Sequence, residues 1–86
     1  MLATATRTDT SRYLSEIARG LELAVIAFTK GLLSDCELWA ELDWAAECYT
    51  KAAEEAAQLD ANSQDAIRYK AWAVGTRARY AELTRA

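Results

Sequence analysis

Histidine and proline are both absent from the 86 residues, and glycine occurs only at positions 20, 31 and 75. Without histidine the chain lacks the usual general base near neutral pH and the commonest metal ligand. A di-iron bundle needs Glu-x-x-His motifs on paired helices, and two cysteines without histidine do not close a zinc site. Three scattered glycines make no phosphate-cradling loop, and no serine or cysteine stands at a useful spacing from a base. No catalysis, metal or cofactor is expected. β-Branched residues are sparse and never alternate with polar ones over a strand's length, which leaves no candidate strand.

Long hydrophobic runs are missing too. The most apolar stretch, Leu21 to Leu33, is 13 residues long and includes Glu22, Thr29 and Lys30. That is too short and too polar to span a bilayer. The polar, threonine-rich start has no signal-peptide form. The only cysteines are Cys36 and Cys48. On one helix, twelve residues apart, they stand about 18 Å from each other, too far to bridge. Free thiols and a cytoplasmic location are the expectation.

What the chain does contain is helix-forming residues. Hydrophobic residues make up 52% of it, and alanine, leucine, glutamate and arginine dominate. We expect a tail over residues 1–9, with Asp9 or Thr10 capping a first helix, and one helical domain over 10–86. Tyr13, Leu14, Ile17, Leu21, Ala24, Val25, Phe28 and Leu32 share one helical face, and Gly31 is a plausible terminator. Arg12, Glu16 and Arg19 line the other side, and Gly20 is a weak spot. Ser34-Asp35-Cys36-Glu37 has the form of a capping box. Trp39, Leu42, Ala46, Tyr49, Ala53 and Ala56 follow a 3-4-3-4-3 spacing, the seam of a packed helix. Asp60 to Ser63 is a loop, with Asn62 or Ser63 capping a third helix to about Leu83. Short connections predict an all-α, up-down-up three-helix bundle, with dimerisation into a larger helical bundle as the alternative.

The third helix has more apolar perimeter than one bundle needs. Ile67, Ala71, Val74, Ala78 and Ala81 lie on one side, and the larger Tyr69, Trp72, Ala73, Thr76, Tyr80 and Leu83 lie opposite. Leu23, Ile26 and Leu33 are a smaller surplus on helix 1, and Trp44 sits off the helix 2 seam. One face of helix 3 should pack inward and the other meet a partner.

Charge is strongly segregated within a net −3. Residues 34–60 hold one basic and eight acidic groups, and residues 61–86 five basic and two acidic. The basic residues of helix 3 split onto two flanks, so a nucleic-acid stripe is not expected. Acidic helix 2 and basic helix 3 are natural partners within the chain.

Leu21-x-x-Ala24-Val25, Thr29-Lys30, Ala45-x-x-x-Tyr49-x-x-Ala52, Ile67-Arg68-x-Lys70 and Arg77-Ala78 together resemble the three-helix MIT domain over roughly residues 21–80. The Ala45, Tyr49 and Ala52 spacing is also similar to the second helix of a tetratricopeptide repeat, of which one copy is visible. Either resemblance implies a groove between helices that accepts an amphipathic peptide.

The resulting expectation is a non-enzymatic protein-interaction module acting through helix-to-helix contact with another protein or with itself. Tyr69, Trp72, Tyr80 and Leu83 are its candidate anchors, and Arg68 and Arg79 its rim. The alternative is a small accessory or inhibitory protein, such as a phage-type inhibitor or a helical small subunit of a nucleoprotein complex. It would bind a larger machine through Glu41, Trp44, Glu47, Glu54 and Glu55 on the acidic helix.

Overall fold

Three helices follow one another in the computed structural model: α1 (Leu2–Thr29), α2 (Asp35–Leu59) and α3 (Gln64–Thr84). Residues 13–85 are described in full and residues 2–12 by their backbone alone. Asp9 and Thr10, expected to cap the first helix after a tail over 1–9, fall within α1, whose backbone is helical from Leu2, and their side chains lie outside the described residues.

Local chemistry sets the boundaries. At the end of α1, Gly31 takes φ 78°, a left-handed conformation that glycine adopts without a Cβ clash. Its N–H donates to Phe28 O at 2.9 Å and the Leu32 N–H to Ala27 O at 2.8 Å, the paired bonds of a Schellman stop. The turn carries Leu32, expected on the inner face, out to solvent and half-buries Leu33 instead.

At the start of α2 the Ser34 N–H donates to Glu37 Oε1 at 2.8 Å, and the Glu37 N–H donates to Ser34 Oγ at 3.2 Å. The capping box is complete. Replacing Ser34 by Ala should lower stability by about 1 kcal/mol, read as a lower denaturation midpoint. The hydrogen bond from the Ser34 backbone, and then its side chain, holds the Glu37 carboxyl below its usual pKa. A depressed folded pKa means that this stabilisation is complete at neutral pH and fades as pH falls through the ordinary carboxylate range and below. Glu37→Gln should remove that part of the acid sensitivity, visible in melting curves between about pH 7 and about pH 3. Ser63, not Asn62, caps α3, its Oγ accepting from Ala66 N–H at 3.2 Å.

Residue pairings give the topology. Tyr13 meets Cys48, so α1 and α2 run antiparallel. Tyr49 meets Trp72, Asp43 meets Arg77 and Trp39 meets Tyr80, so α2 and α3 do the same. The result is the up-down-up three-helix bundle.

The middle helix carries the core. Leu38, Leu42, Ala45, Ala46, Tyr49, Ala52 and Ala53 of α2 are all buried, with Leu14, Ile17 and Leu21 from α1 and Ala66 and Ala73 from α3. The heptad seam read from the sequence covers only part of this. Leu38, Ala45, Cys48 and Ala52 form a second buried row on α2, and Tyr13 and Ala45 mark it as the α1 side. Among the described residues, α1 and α3 both pack closely on α2 and not on each other. Across their gap, Arg79 reaches Glu22 at 3.2 Å.

Candidate functional site

The large face of α3 is the one that closes on α2. Trp39 and Tyr80 pack edge-to-face with ring centres 5.2 Å apart, and Tyr49 and Trp72 do so at 5.5 Å. Tyr69 stacks obliquely on Trp72 at 5.3 Å, and Tyr69, Tyr80 and Leu83 are partly buried against the core. Trp72 lies at the edge, 42% exposed. Burial favours this face because rings remove more apolar area from water than alanines do. The alanines of α2 leave room for them. The two rim arginines are engaged inside the chain, Arg68 with Asp65 at 2.8 Å and Arg79 with Glu22. Tyr69, Tyr80 and Leu83, expected as partner anchors, are thus partly covered by their own chain.

What remains uncovered is the opposite, small-residue face. Val74 is 71% exposed and Ile67 60%, and Ala71, Ala78 and Ala81 are exposed with them. Their 4-3-4-3 spacing is that of a helix seam. It faces water.

A second feature lies between α1 and α2. An open groove of about 250 Å³ is floored by Ile17, Leu21 and Ala45 and flanked by Tyr13, Glu16 and Gly20 on one side and Glu41 and Trp44 on the other. Trp44 is half exposed. The Tyr13 hydroxyl lies 3.1 Å from Cys48 Sγ. That hydrogen bond, then burial, raises the phenol's pKa above its ordinary value.

Of the acidic residues singled out in the sequence, Glu41 shares the groove with Trp44, whereas Glu47, Glu54 and Glu55 are exposed on α2 outside it. Tyr13, Glu16 and Gly20 were missed as groove residues. Their signal was present: with Leu23 they follow a helical spacing along one flank, beside the buried stripe.

Acidic α2 and basic α3 do pair, Arg77 Nε donating to Asp43 Oδ1 at 3.1 Å. Each such exposed ion pair stabilises by well under about 1 kcal/mol. Among the described residues no three histidine, cysteine, aspartate or glutamate side chains lie close enough together to hold a metal ion. No described helix is long and apolar enough to cross a membrane.

Among the described residues, fold and surfaces together define a small helical bundle with an uncovered face on α3 and an acid-rimmed groove between α1 and α2. The chain matches no protein-family model, no curated protein and no solved structure.

Proposed function

We propose that this chain is a non-catalytic protein–protein interaction module working through helix-to-helix contact, in a reducing cytoplasm where Cys36 and Cys48 stay free thiols. The observation that carries the reading is the exposed stripe Ile67, Ala71, Val74, Ala78 and Ala81 on α3. A seam of this spacing stabilises nothing in water, and small side chains let a second helix approach closely.

The occupant that fits is a second copy of the chain. An antiparallel α3 crossing at Val74 sets Ala71 against Ala78 and brings Arg68 beside the other copy's Glu82. On the opposite flank Lys70 approaches the other copy's Arg77, whose charge is already met by Asp43. Val74→Glu should abolish association in sedimentation while leaving the melting temperature nearly unchanged, because the side chain touches mostly solvent. A wild-type chain that stays monomeric at high concentration, or a Val74→Glu chain that still associates, removes the stripe from the interface.

A second reading, the accessory or inhibitory protein that docks through acidic α2, is favoured by the joint opening of Glu41 and Trp44 onto the groove. Binding of this kind weakens steeply with salt, whereas the α3 contact is nearly indifferent to it.

A further inference from the structure

We infer that the groove between α1 and α2 receives a cationic side chain, the end of an arginine or lysine in a basic segment of another protein. The inference rests on the second reading and names the chemistry of its partner.

Size comes first. At about 250 Å³ and open along its length, the groove is smaller than the cavities that enclose whole small molecules. It suits the end of one long side chain. Its lining then selects the charge. Trp44 and Glu41 line the α2 wall, and Glu16 lines the α1 wall opposite. A guanidinium or ammonium group laid over an indole is attracted by the ring's electron-rich face, more so where water is partly displaced. Carboxylates on both sides add charge-assisted hydrogen bonds to the same group. Among the described residues Glu41 is paired with no cation; the ion pairs there join Arg68 to Asp65, Arg77 to Asp43 and Arg79 to Glu22.

Gly20 adds room on the α1 wall. It lies inside α1, where glycine is disfavoured relative to alanine by about 1 kcal/mol. No positive φ calls for it, and a Cβ built there meets nothing within 4 Å. Packing within the chain gives no reason for a missing side chain. What the gap does is keep that wall of the groove open. One turn on, Leu23 is 60% exposed and offers apolar surface to residues flanking the inserted cation. This favours a residue within a polypeptide over a free small cation.

The experiment titrates a hepta-arginine peptide into the full chain at low salt and follows binding by calorimetry. Gly20→Leu fills the groove without displacing anything, and Trp44→Ala and Glu41→Gln remove the ring and one carboxylate. Each should weaken binding by about tenfold, the worth of one partly desolvated cation–π contact or charged hydrogen bond. Glu54→Gln with Glu55→Gln, which changes the charge of α2 outside the groove, should weaken it by less than about threefold. If the Glu54/Glu55 variant loses as much as Glu41→Gln while Gly20→Leu binds normally, the groove is not the site and only a diffuse acidic face remains. If the wild-type chain does not bind the peptide, both the groove and the second reading fall. Circular dichroism on Gly20→Leu guards against misfolding, and the glycine's helix penalty predicts a melting temperature at or above that of the wild type.

Discussion

Leu42→Ala should come close to unfolding the protein. Leu42 is completely buried in the middle of α2, where the α1 and α3 sides of the core meet. Removing a buried leucine beyond its Cβ typically costs about 2–5 kcal/mol, from lost transfer energy and the cavity left behind. The alanines around it cannot grow to fill the space. A domain of this size has a total stability on the order of 5–10 kcal/mol. We expect the melting temperature to fall by roughly 10–25 °C. Leu59→Ala is the control, since Leu59 is almost wholly exposed and its loss should leave the midpoint in place. Equal midpoints for Leu42→Ala and wild type would mean that the core does not sit on α2.

Trp72→Ala should have the next largest effect, and should act on stability. The indole contacts Tyr49 across the α2–α3 interface and Tyr69 on its own helix. Because Trp72 is only partly buried, the loss falls below that of a fully enclosed tryptophan, at about 2–3 kcal/mol. A double-mutant cycle with Tyr49→Leu should return a coupling of about 0.5–1.5 kcal/mol, the part owed to ring geometry. Chemical denaturation of the four proteins supplies the numbers. Sedimentation of the same variants separates the roles: Trp72→Ala should associate like wild type wherever it is folded, and Val74→Glu should not. The opposite pattern would return the contact surface to the aromatic face.

How far the sequence reveals this molecule depends on the range of the interaction. Helix boundaries set by neighbours were readable: the Ser34–Glu37 box and the Gly31 stop need only a few residues each. The order and direction of the helices followed from short loops. The facing of α3 was not readable, because periodicity shows two apolar sides without saying which one α2 will take. That choice depends on Tyr49 and Trp39 arriving from another helix to meet Trp72 and Tyr80. The double role of α2 was hidden for a related reason. A heptad seam describes contact with one neighbour, whereas a middle helix needs a second row, and Leu38, Ala45, Cys48 and Ala52 read as ordinary helix residues until α1 is laid against them. The groove is the extreme case. Gly20 reads as a flaw in α1 until Trp44 and Glu41 are placed across from it.

The resemblance to the MIT domain and to a tetratricopeptide helix belongs with these observations. Leu21, Ala24, Ala45, Tyr49 and Ala52, which carry much of it, are all buried in the bundle. Small residues at these spacings are what antiparallel helices need to pack closely. Thr29, Lys30, Ile67, Arg68, Lys70, Arg77 and Ala78, which also carry the likeness, are exposed, and Glu16, Gly20, Glu41 and Trp44 lie outside it.

The central position of α2 also governs how the chain reaches this shape. Among the described residues, each close interface joins helices adjacent along the chain, through loops of a few residues, and α1 meets α3 through the Arg79–Glu22 ion pair. Little loop-closure entropy stands between the open chain and either hairpin, which places folding on the order of microseconds to milliseconds. Either hairpin can form first, and the other outer helix then needs only to settle on a surface that is already made.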